Sequence, residues 1–110
     1  MDTLAEDPLL DLDRLAELAE EVGEEDLSAV LLMFLDEASA EVARLASGLG
    51  DAEHAKATHF LRSGALNIGL GALARAAAEA AEAAPAGRAA SGAAIAALVA
   101  RSRAAVLARG

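Results

Sequence analysis

Cysteine, tryptophan and tyrosine are absent from this chain, and its 110 residues include only two prolines and two aromatic rings, Phe34 and Phe60. Without cysteine there is neither a disulfide framework nor a thiolate metal site. With so few rings the core has to be built from aliphatic and small side chains. The alanine-rich second half favours helices that approach closely, which predicts a tight helical bundle. Cations are also scarce, with 9 Lys and Arg against 18 Asp and Glu and a net charge of −9. Their placement is uneven: residues 1–53 hold 16 acids against two bases, and residues 54–110 hold two acids against seven bases. An acidic first half repels a phosphate backbone, so nucleic acid is not an expected partner. Most cations of the second half are spread thinly and read as solvated helix faces.

Long apolar runs are missing as well. The stretch from Ala89 to Ala100 is free of charge but falls short of the roughly 18 apolar residues a membrane span needs, so no membrane association is expected. The acidic start, with Asp2, Glu6 and Asp7, is the opposite of a targeting pattern. A cytoplasmic protein is the expectation. The length suits one domain over residues 1–110 with one modest core, and Met1 to Asp7 and the last few residues are expected to fray.

Strand-type alternation is absent, and helical periodicity runs throughout. Pro8 and Leu9-Leu10 introduce a first helix through Leu12, Leu15, Ala19 and Val22, closed by Gly23. The clearest stripe, Leu27, Leu31, Phe34, Ala38, Val42, Leu45 and Leu49, predicts a long second helix from Glu24 to Ser47, ended by Gly48 and Gly50. Asp51 is the expected N-cap of a third helix, whose Thr58, Leu61, Ala65 and Ile68 share a face and which stops at Gly69-Leu70-Gly71. A fourth helix from about Ala72 carries Leu73, Ala76, Ala77 and Ala80 and breaks at Pro85-Ala86-Gly87. The last runs from about Arg88 through Ile95, Leu98, Val99, Val106 and Leu107. Short connections make neighbours antiparallel, so the expected fold is all-α: an up-down-up-down antiparallel four-helix bundle with a shorter N-terminal helix over one end. Such a bundle closes its own core and is expected to be a monomer.

Chemistry concentrates on the third helix. At 100° per residue, Ala55, Lys56, Arg62, Ser63 and Leu66 share the face of His59, while Leu61, Ala65 and Ile68 point inward. His59 is therefore expected to be exposed near mid-helix. A neutral imidazole has a lone pair that can attack phosphorus. Lys56 and Arg62, one turn either side, suit the charge on phosphoryl oxygens, and Ser63 is small enough to leave room and able to donate a hydrogen bond. His54, five residues back, is rotated about 140° from His59, close to the Thr58 and Leu61 face, and reads as a boundary residue or part of the first turn. That angle keeps the two histidines from sharing a metal, and no Glu-x-x-His pair supports a carboxylate site, so no metal is expected. Glu24-Glu25-Asp26 reads as charge favouring a helix start.

The run His59-Phe60-Leu61-Arg62-Ser63-Gly64-Ala65-Leu66-Asn67-Ile68-Gly69 resembles the H-x-L-K-G-S-A-x-x-x-G signature of histidine-containing phosphotransfer (HPt) domains, and helix order and lengths are similar from about Leu9 to Leu107. The resemblance implies a four-helix bundle whose histidine takes a phosphoryl group from the aspartate of a receiver domain and returns it to another. His59 would be the phosphoacceptor, Arg62 the replacement for the signature lysine, and Gly69 the helix-ending glycine. Ser63-Gly64 reverses the signature's Gly-Ser pair, and Ala81 stands where some members hold the imidazole with a glutamine. The implied partners are response-regulator receiver domains and a hybrid sensor histidine kinase, with Ala55 and Leu66 in the contact face and magnesium carried by the receiver rather than by this chain. H-x-L-R-S is also similar to the dimerisation helix of sensor histidine kinases, but Phe60 and Gly64 replace that motif's acid and proline. No nucleotide-binding segment accompanies it, so phosphorylation from ATP by this chain itself is not expected. A non-catalytic helical adaptor that binds a receiver without taking phosphate is the alternative, motivated by Ser63 beside the imidazole.

Overall fold

The computed structural model describes residues 8–109, and the expected fraying of Met1 to Asp7 lies outside them. All regular structure among the described residues is helical: α1 (Leu12–Val22), α2 (Glu24–Ala46), α3 (Asp51–Asn67), α4 (Gly71–Glu82), a 3-10 turn at Pro85–Gly87 and α5 (Arg88–Arg109). The helices form a bundle in which α2 packs on α3, α3 on α4, α4 on α5 and α5 on α2, with α1 against α2. One core unites Leu15 and Leu18 of α1, the α2 stripe from Leu27 to Leu45, Leu61 and Ala65 of α3, Leu73 and Ala77 of α4, and Ile95, Val99 and Val106 of α5. The Leu12 side chain is exposed rather than part of that face, and Ile68 and Ala76 are half-buried at its margin.

Each helix stops where the backbone chemistry requires it. Gly23, at φ +90°, is the single residue between α1 and α2, the C-cap of one and the N-cap of the other. Gly69, at φ +79°, ends α3; the Leu70 N–H reaches back to the Ala65 carbonyl at 2.9 Å, and the Gly69 carbonyl accepts the Asp11 N–H at 2.7 Å. A Cβ on Gly69 would lie 3.3 Å from the Asp11 carbonyl oxygen, so backbone handedness and space both favour glycine there. With Arg14 Nε donating to the Asn67 carbonyl at 2.8 Å, these contacts fasten α1 to the α3–α4 junction. Asp11, rather than the Pro8 segment, caps α1, accepting the Arg14 N–H at 3.2 Å.

Asp51 does not cap α3 as expected. Gly50 occupies the cap position, and Asp51 is the first helical residue. Its carboxylate turns outward to accept from Arg88 Nη2 at 3.0 Å, an ion pair between α3 and α5 that competes for the same oxygens. Gly64 serves α2–α3 packing: a Cβ there would stand 2.8 Å from Phe34 Cζ and closer still to Cε1, so only glycine lets the ring lie against α3. Phe34 in turn meets Phe60 with ring centroids 5.7 Å apart.

The α4–α5 region is alanine-rich, and Ala74, Ala77 and Ala80 are buried on α4, which packs on both α3 and α5. Residues Pro85–Arg109 are long and apolar enough to cross a membrane by length and composition, with a mean hydropathy of 1.3 over the relevant window. Ile95, Val99 and Val106 of that helix face the bundle core.

Candidate functional site

The geometry of α3 separates its two histidines. His59 is exposed, whereas Leu61 and Ala65 on the opposite side are fully buried. Beside the imidazole, between α3 and α4, lies a cleft of about 390 Å³ lined by Ala55, Thr58, His59 and Arg62 from α3 and by Ala78, Ala81 and Glu82 from α4. A second groove of about 300 Å³ shares Arg62 and Ala78 and continues past Leu66, Gly71, Ala74 and Arg75 towards Pro8 and Asp11. Arg62 thus borders both hollows. It makes no hydrogen bond or ion pair with a described residue, which leaves its guanidinium available to an incoming anion.

Ser63 Oγ stands 3.4 Å from His59 Nε2, one turn on. That is the long end of hydrogen-bonding range and costs little to break. The hydroxyl donates when Nε2 is unprotonated and accepts when Nε2 carries the proton. Ser63 is therefore a side-on partner of the ring. Gly64, adjacent in sequence, faces Phe34 and not the imidazole. Leu66 is 53% exposed on the rim of the second groove.

Lys56 is not brought to the cleft. Its ammonium lies 3.5 Å from Glu53 Oε2, in an exposed pair one turn towards the start of α3. Glu53 also accepts from Arg44 Nη2 of α2 at 3.0 Å. The hydrogen bond from Arg44, followed by the charge of Lys56, holds the Glu53 carboxyl below its ordinary range. A carboxyl lowered in the folded state contributes stability above its unfolded pKa and loses it as pH falls through the folded value. Wild type is therefore expected to melt slightly higher than Glu53→Gln at neutral pH. The difference should vanish in acid below the carboxylate range and stay small throughout, because the pair is exposed. Thermal unfolding of both proteins across pH checks this.

Two features of the region carry little signal in the sequence. Ala78 and Glu82 join Ala81 as the α4 wall of the cleft. His54 lies in the first turn of α3 on the Thr58 and Leu61 side, as expected, but is buried rather than at the boundary: it is 4% exposed, and its Nε2 lies 2.9 Å from the Ala80 carbonyl. Thr58, also buried, donates to the carbonyls of His54 at 3.0 Å and Ala55 at 3.2 Å, closing its hydroxyl off from the cleft. Among the described residues no group of three or more His, Cys, Asp and Glu side chains is placed to hold a metal ion. No family model, curated protein or solved structure matches this chain.

Proposed function

We propose that this chain is a phosphorelay carrier of the HPt kind, an up-down-up-down antiparallel four-helix bundle that receives a phosphoryl group on His59 from a receiver-domain aspartate and passes it to another receiver. The observation that carries the reading is an exposed imidazole on a helix of the bundle, at the mouth of a cleft also lined by the Arg62 guanidinium, which pairs with no described residue. In the forward step an imidazole nitrogen attacks phosphorus in line. The N–P bond forms as the P–O bond to the aspartate breaks, the carboxylate leaves with the electron pair, and the ring keeps its proton on the other nitrogen. Arg62 offsets charge on the equatorial oxygens, and the receiver supplies magnesium. Ser63 releases Nε2 or remains bonded to it according to which nitrogen reacts. Lys56 acts at longer range after leaving Glu53, an exposed pair of low cost to separate. The chain carries no ATP-dependent kinase activity of its own and works as a cytoplasmic monomer. Its partners are receiver domains and a hybrid sensor kinase, met through the face around Ala55, His59 and Leu66.

The Ser63 hydroxyl on His59 Nε2 favours a second reading, a helical adaptor that binds a receiver without taking phosphate. Incubation with a panel of receiver domains carrying aspartyl phosphate separates the two. The carrier is expected to gain one phosphoryl group, seen by mass, as a receiver loses it. Receiver binding that is equal in wild type and His59→Gln, with no transfer from any member, would favour the adaptor.

A further inference from the structure

His54 takes no part in the chemistry proposed for His59, yet it is the more constrained of the two. Its ring is 4% exposed, and Nε2 donates to the carbonyl of Ala80, 2.9 Å away and 26 residues on in the chain. A carbonyl can only accept, so the contact requires the tautomer protonated at Nε2. Ala80 belongs to the last turn of α4, where carbonyls lack intrahelical donors. Its oxygen also takes the Ala83 N–H at 3.2 Å, and the histidine supplies the second donor from outside the helix.

The placement of that bond links it to the other face of α3. Ala81 and Glu82, which immediately follow Ala80, and Ala78 before it form the α4 wall of the His59 cleft. The buried side chains of α4 are Leu73 and the methyl groups of Ala74, Ala77 and Ala80, all apolar and without directional bonds. Past Glu82 the helix gives way to the Pro85 turn. The His54–Ala80 bond is thus a directional tie between α3 and the end of α4, about 7.5 Å along the helix from His59.

We infer that His54 is a positioning residue for the His59 cleft: by holding the Ala80 carbonyl it keeps the Ala81–Glu82 wall against the imidazole. Its functional meaning rests on the phosphotransfer reading, whereas the geometric effect is measurable without it. His54→Phe fills the space but donates nothing to Ala80, and His54→Gln keeps an N–H donor. Because the chain has only two histidines, His59 is the sole histidine in either variant. Acylation of His59 by diethyl pyrocarbonate, located by peptide mass, is expected to be severalfold faster in His54→Phe and close to the wild-type rate in His54→Gln. On the phosphorylated protein, hydrolysis of phosphohistidine should accelerate severalfold in His54→Phe and be rescued in His54→Gln. Equal acylation rates in all three proteins, with only the melting temperature lowered, would overturn the inference and leave His54 a core residue. If His54→Phe does not fold, His54→Asn, whose shorter amide falls away from Ala80, carries the same expectation. Should wild type take no phosphoryl group, the phosphotransfer reading fails while the acylation rates still decide the role of His54.

Discussion

Gly64→Leu is expected to lower folding stability by about 3 kcal/mol, the upper end of the usual range for overpacking. Two effects oppose each other at this site. Leucine is a better helix former than glycine, worth somewhat under 1 kcal/mol in a helix interior. Against that, even a Cβ would overlap Phe34 Cε1 and approach Cζ to 2.8 Å. The ring cannot simply turn aside, since Phe60 lies tilted against it at 5.7 Å between centroids and Phe34 is only 9% exposed. Overpacking wins, and α3 is pushed away from α2. In chemical denaturation the double variant with Phe34→Ala should be clearly more stable than the sum of the two single losses, because the ring that clashes has gone. Additive losses would show that Gly64 and Phe34 do not confront one another.

Arg62→Ala is expected to slow phosphorylation of His59 by about 100-fold, the usual consequence of deleting one donor to transition-state charge. Stability should change by no more than about 0.5 kcal/mol, since the side chain is exposed and pairs with no described residue. Arg62→Lys should recover much of the rate, because a mobile ammonium retains the charge but not the planar fork. The labelling rate with a small phosphoryl donor and the melting temperature of each variant provide the check. A large fall in melting temperature in Arg62→Ala would place the residue in a structural role and remove it from the site.

Much of this architecture is written in its stops and its stripe. Gly23, Gly69 and Pro85 mark breaks that local chemistry alone demands, and large residues at Leu27, Leu31, Phe34 and Leu45 reveal the inner face of α2 without ambiguity. The exposed His59 face of α3 is legible for the same reason, because Leu61 and Ala65 define its back. The α4 helix offers no such handle. With alanine at most positions, periodicity does not show which side meets α3, so the wall formed by Ala78, Ala81 and Glu82 emerges only from packing. Asp51 and Lys56 depart from their local sequence roles by another route. Each has a sound local role in the sequence, as a cap and as a neighbour of His59, but each charged group is drawn to a different partner, Arg88 of α5 and Glu53 one turn away. The angle of His54, close to the Thr58 and Leu61 face, is legible in the sequence, but its full burial is not, because the carbonyl it bonds lies 26 residues further along the chain.

Intact mass after incubation with phosphoramidate, on wild type and His59→Gln and before and after acid, tests the central claim most directly. One acid-labile phosphoryl group on wild type and none on His59→Gln is the expected result, and it would establish His59 as the acceptor. Label that persists on His59→Gln would contradict that assignment and point to His54, while well-folded wild type that accepts nothing from phosphoramidate or from a receiver aspartyl phosphate would contradict phosphotransfer itself.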